Sequence, residues 1–162
     1  MSADSAATRL CMACGLCCNG VLFEIVCLQP QDAMKPLEKL GMKINRRKTE
    51  PYFKQPCGFL HDRRCGIYEQ RPSRCRLFEC RILKRLEAGE FSEDQAASLI
   101  RQALQMVADI ETRLAELGDS NTQATLESRV EQALEARPDP ALRDLLRRLH
   151  LLLDREFRVV AV

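Results

Sequence analysis

The most regular alternation of apolar and polar positions lies in the second half of the chain. Ser92 followed by Gln95 has the spacing of a capping box. Leu99, Ala103, Val107, Ile110, Leu114 and Leu117 then fall on one helical face, and Gly118 stops the run. A second amphipathic helix is expected over 122–136, turning Leu126, Val130 and Leu134 inward. Asp139 and Pro140 open a third, which carries Leu142, Leu145, Leu146, Leu149 and Leu152. Stripes of this kind are expected to face a core, the usual fate of amphipathic helices.

The first half changes period often. "GVLFEIVCLQ" (20–29) is rich in β-branched and large apolar residues and predicts a short strand. "PQDAMKPLEKLG" (30–41) predicts a short helix between Pro30 and Gly41, limited by Pro36. Residues 42–71 hold no sustained period and predict a loop-rich segment. "RPSRCRLFECRILKRLEAGE" (71–90) returns to helix, with Pro72 in its first turn and Gly89 just past its end. The tail "EFRVVAV" is a candidate terminal strand for pairing with residues 21–28. The expected fold is mainly α: a small irregular cysteine-rich module with one short β-hairpin or strand pair, then a C-terminal helical hairpin or bundle. The division expected is 1–90 for the module and 91–162 for the helical region packed on it.

Composition sharpens this. With no Trp and few aromatics, Leu and Ala must carry much of any core, which suits helices. A net charge of +2 gives no whole-chain signal for nucleic acid or anionic membrane. The start, "MSADSAATRL", lacks the basic and apolar regions of a secretory signal. No apolar run approaches the roughly 20 residues that span a bilayer. The expectation is a cytoplasmic protein without membrane contact, whose thiols stay reduced. All nine cysteines fall between Cys11 and Cys80. In that setting an odd number of clustered cysteines points to metal binding or redox work rather than a disulfide framework.

Zinc and iron–sulfur centres take four thiolates around a compact centre. Cys11, Cys14 and Cys17 form two C-x2-C turns in series, the pattern of three local ligands completed by a remote fourth, with Gly15 relieving crowding. Cys18 adjoins Cys17, and in an extended segment the two side chains point to opposite faces. Cys18 is then a ligand of a second centre, a buried hydrophobe or a free thiol. Cys57, Cys65, Cys75 and Cys80 bring the candidates to eight, enough for two four-thiolate sites or for one cluster with spare thiols. If one helix runs through Cys75 and Cys80, they diverge by about 140° around its axis; if Cys75 precedes the helix, they converge.

Around the later cysteines stand Arg63, Arg64, Arg71, Arg74, Arg76, Arg81, Lys84 and Arg85. Thiolate-rich centres are anionic, and Arg71, Arg74 and Arg76 are the candidate groups that compensate that charge and donate hydrogen bonds to sulfur. A solvated face, or a site for an anion or RNA on 63–85, is the competing reading, with nucleic acid the weaker one. Tyr52, Phe53, Phe59, Tyr68 and Phe78 are expected to form the module's small core rather than a base-stacking platform. Cys27 reads as a buried hydrophobe, His61 as a surface residue and His150 as an ordinary helix residue.

"CMACGLCC", "PCGFL" (56–60) and "CGIYEQRPSRCRLFEC" (65–80) together resemble the CxxCxxCC cysteine-cluster family of YkgJ-type proteins, described as zinc- or iron-chelating and often labelled iron–sulfur proteins. The resemblance covers about residues 10–82. It implies metal ligation at Cys11, Cys14, Cys17, Cys18, Cys57, Cys65, Cys75 and Cys80 and leaves Cys27 outside the pattern. Flagellin lysine methylases resemble the same cluster, which leaves open whether the chain is an enzyme. The leading expectation is a [4Fe–4S] cluster serving redox chemistry, electron transfer or cluster-dependent modification, with a protein partner or an electron donor or acceptor. The alternatives are a zinc-stabilised interaction module without catalysis and a thiol redox sensor.

Overall fold

The computed structural model describes residues 5–46 and 49–159. In chain order these form α1 (Ala6–Cys14), β1 (Ile25–Cys27), α2 (Met34–Lys39), β2 (Tyr52–Lys54), β3 (Leu60–His61), β4 (Arg64–Cys65), a 3-10 turn (Tyr68–Gln70), α3 (Ser73–Leu77), α4 (Arg81–Glu87), α5 (Glu93–Glu116), α6 (Leu126–Ala136) and α7 (Pro140–Glu156). The described residues are mainly α, as the patterning predicts, and they hold two short antiparallel strand pairs where one was expected. The chain divides into two compact units. One joins the segment ending at Cys14 to everything from Glu79 onward, and the other is Gly15–Phe78.

The helical unit is built on α5. Its capping box is complete: the Gln95 N–H donates to Ser92 Oγ at 3.2 Å, and the Ser92 N–H donates to Gln95 Oε1 at 2.8 Å. Its buried stripe is Ala96, Ile100, Ala103, Val107, Ile110 and Leu114, so Leu99 and Leu117 fall only half-buried at its margins. This face packs against α1, α4 and α7. The second helix starts at Leu126 rather than Thr122. Thr125 Oγ1 accepts from the Ser128 N–H at 3.3 Å and caps it, while Asp119 and Asn121 accept from backbone N–H groups two residues ahead and hold the preceding turn out of helix. Asp139 caps α7 through the Leu142 N–H at 2.8 Å, and Pro140 occupies its first turn.

The predicted terminal strand does not form in residues 156–159, and 160–162 lie outside the described residues. Glu156 still belongs to α7, Phe157 is buried, and the Phe157 carbonyl accepts the Arg81 N–H at 3.0 Å. Arg85 adds an ion pair to Glu156 at 3.0 Å. The tail's backbone is thus committed to the start of α4, and the partner of β1 is β2 instead.

In the Gly15–Phe78 unit β1 and β2 pair antiparallel, with Val26 opposite Phe53 and Cys27 opposite Tyr52. The core is small. Leu28, Leu37, Met42 and Phe53 are buried, with Val26, Met34, Ile44, Phe59, Ile67, Cys57 and Cys75 packed against them. Gly41, at φ +104°, closes the turn after α2 in a conformation that a side chain would strain. β3 and β4 make a tight hairpin whose two turn residues, Asp62 and Arg63, both have positive φ (47° and 66°). That is the pairing of a type I′ turn, which matches strand twist but usually recruits Asn or Gly.

Candidate metal centre

In the helical unit Cys11 and Cys14 stand three residues apart on one side of α1, not in the metal-wrapping turn that their spacing suggested. Ser5 starts that helix by accepting the Thr8 N–H at 3.1 Å, a local cap that makes residues 6–14 helical. Arg9 grips Glu93 through two bonds, at 3.1 and 2.7 Å, and so ties α1 to the start of α5. Cys11 is exposed and Cys14 half-buried. Cys80 precedes α4 as its N-cap. Burial pushes the Cys80 thiol up, and the Cys11 charge adds to that.

The single helix expected over 71–90 is two helices. Phe78 and Cys80 are both extended, and the Phe78 ring packs edge-on against Phe23 with centroids 4.9 Å apart. Cys75 lies within α3 and Cys80 before α4, so no common helix axis relates them. They also belong to different units, as do Cys14 and Cys17.

The Gly15–Phe78 unit holds the other five motif cysteines. Gly15 takes φ +69°, and a Cβ there would lie 3.2 Å from Arg63 Cβ and from the Arg63 carbonyl oxygen. A side chain there would be strained by the positive φ and would crowd the hairpin turn, so glycine suits the position. Residues 16–20 then form turns rather than an extended segment: the Cys18 and Asn19 N–H groups both donate to the Gly15 carbonyl at 2.9 Å. The opposite-faces argument for Cys17 and Cys18 therefore does not apply. The Cys18 carbonyl accepts the Cys57 N–H at 2.7 Å, which sets the adjacent pair beside the second cysteine segment.

Cys57 follows a cis Gln55–Pro56 bond, and its carbonyl accepts the Leu60 N–H at 3.0 Å. Cys65, on β4, is in register with Leu60 on β3. Cys75 is held in α3, whose first residue, Ser73, is bonded to Asp32. Three thiols thereby come within electrostatic range of one another. Burial pushes Cys57 up, with the Cys65 charge adding to it. Burial also pushes the Cys75 thiol up to about 12, with Cys57 and Cys65 adding and Arg71 opposing.

Of the three guanidinium groups expected to compensate thiolate charge, Arg71 is the one whose charge reaches Cys75. It lies 3.5 Å from the centroid of the Tyr68 ring and donates to the Tyr68 carbonyl at 2.8 Å. Arg74 stands 3.8 Å from Glu50 and, with the Gln29 amide oxygen turned towards it, donates to that oxygen at 2.7 and 3.1 Å. The charge of Arg76 is felt at Asp32. Cys27 sits on β1 opposite Tyr52, and His61 is exposed on the hairpin. His150 lies 3.7 Å from Glu127.

Among the described residues no group of three or more His, Cys, Asp or Glu side chains already stands in metal-holding geometry. The chemistry of the donors nevertheless fits a zinc or iron centre. Desolvated thiols that oppose one another's ionisation are held neutral, and a divalent cation reverses that balance by pairing with each thiolate. Residues 10–98, more than half of the chain, match the family model CxxCxxCC, "Putative zinc- or iron-chelating domain". No curated protein and no solved structure matches the chain. No helix among the described residues is long and apolar enough to cross a membrane.

Proposed function

We propose, from the premise that the chain belongs to the CxxCxxCC family of zinc- or iron-chelating cysteine clusters, that it carries a [4Fe–4S] cluster and works in redox or electron transfer with a protein partner. The observation that carries this reading is the packing of Cys57 and Cys75 against one small apolar core, with Cys65 within electrostatic range of both. Cys18, whose carbonyl is bonded to the Cys57 N–H, supplies the fourth thiolate of this group. A bound cluster of this kind supplies one-electron transfer.

The chain's own residues do the rest. Leu28, Leu37, Met42 and Phe53 form the apolar core on which Cys57 and Cys75 pack, shielding them from water on that side. Arg71 supplies positive charge next to Cys75. Cys11, Cys14 and Cys80 are the motif cysteines of the helical unit, where the Cys11 charge opposes ionisation of Cys80. A cytoplasmic setting, where thiols stay reduced, is part of this reading.

A zinc-stabilised interaction module is the second reading, and one observation favours it. The Gly15–Phe78 unit, about sixty residues, buries few large side chains, and domains of that size commonly need a metal or cross-links to fold. Anaerobic purification with metal and sulfide analysis and a visible spectrum separates the two. A brown protein with iron and acid-labile sulfide in equal amounts is expected. A colourless protein with stoichiometric zinc and no sulfide refutes the cluster and leaves the zinc module.

A further inference from the structure

We propose that Asp32 is a positioning residue for the metal-chelating thiols: it caps α3 from a distant turn and thereby sets Cys75 beside Cys57 and Cys65. The inference rests on the reading that these thiols ligate a metal. α3 is only five residues long and is preceded by Pro72, which provides no side-chain cap. So short a helix does not hold itself, and its first N–H groups need partners from elsewhere. Asp32, 41 residues away in sequence, provides them. Its Oδ1 accepts from the Ser73 N–H at 2.8 Å and from Ser73 Oγ at 2.7 Å.

The other half of the carboxylate locks the turn that carries it. Oδ2 accepts the Gln29 N–H at 2.8 Å, and the Asp32 N–H returns a bond to the Gln29 carbonyl at 2.9 Å. The Gln29 side chain then takes both Arg74 contacts, so this one turn holds the first two residues of α3. Cys75 is the next residue. Leu28, immediately before the turn, is buried in the unit's core, which anchors the clamp to that core. The requirement is for an acceptor-only group with two oxygens. Asparagine offers one acceptor and alanine none.

The test uses the full chain, freed of metal, with Asp32→Ala and Asp32→Asn variants whose folding is checked by circular dichroism. Zinc affinity is read by competition with a chromophoric chelator, and iodoacetamide alkylation of the metal-free protein is mapped cysteine by cysteine. Expected are an affinity loss of about 10- to 100-fold in D32A, a smaller loss in D32N, and faster alkylation at Cys75 with the Cys11 rate unchanged. Should D32A not fold, D32N with Ser73→Ala carries the comparison. Wild-type affinity in a folded variant overturns the proposal, as does alkylation that rises equally at Cys11 and Cys75. If the wild-type chain itself takes up neither zinc nor ferrous iron, the metal reading fails instead. The alkylation arm then judges Asp32 alone: a rise confined to Cys75 sustains its positioning role, and no rise overturns it.

Discussion

Loading metal onto the metal-free chain at neutral pH must expel protons, and the proposed four-cysteine site sets how many. With its thiol pushed up to about 12, Cys75 is ionised in about one molecule in 10⁵ at pH 7, against about one in 10² for an ordinary thiol. Cys57 and Cys80 are displaced in the same direction by burial. A ligating cysteine binds as thiolate, so a four-cysteine site releases about four protons per metal ion. The apparent binding constant should then rise by about 10⁴ between pH 6.5 and 7.5, tenfold for each proton released. Zinc titration in weakly buffered solution with a pH indicator counts the protons, and chelator competition at the two pH values gives the slope. Cys57→Ser and Cys75→Ser should each lower the count by about one. Fewer than two protons per zinc, or an affinity independent of pH, would show that the donors are not these thiols.

The metal-free chain should lose stability in alkali. A thiol whose folded pKa is raised stabilises the fold below its unfolded value of 9.0 and loses that contribution as pH climbs towards about 12. The urea midpoint should therefore fall between pH 8 and 10.5, and fall less in Cys75→Val. Cys65→Ser should abolish stoichiometric metal uptake while Cys27→Ser retains it; equal loss in both breaks the ligand assignment. Ile110→Ala removes a fully buried side chain from α5 and should cost about 2–5 kcal/mol in urea unfolding followed by circular dichroism. Gly15→Ala forces a side chain into φ +69° against Arg63 and should cost at least about 1–2 kcal/mol, with lower metal affinity as the companion readout.

Which parts were legible before any coordinates depends on how far apart the deciding atoms lie. The Ser92–Gln95 box, the Asp139 cap and Gly118 act over three or four residues, so α5 and α7 could be placed from spacing alone. The cysteine motif could likewise be recognised from its spacing, because the family is defined by it. Local patterning misled where a second partner competed. The helical period over 71–90 is real, yet Phe78 leaves it to pack on Phe23. The apolar tail has strand-like composition, but its backbone is taken by Arg81 and the edge of β1 by Tyr52–Lys54.

The sequence by itself therefore determined the helical stripes, the thiol-rich donor set and the family. The tertiary structure decided how those donors are grouped. It put Cys11, Cys14 and Cys80 in one unit and the other five motif cysteines in the second, split at a glycine that packs against the hairpin turn. It also showed Asp32 reaching across 41 residues to cap the helix of Cys75. Contacts of that kind leave no periodic trace in sequence. They form only when burial of a shared core brings distant segments together, and hydrogen bonds between those segments then select the geometry.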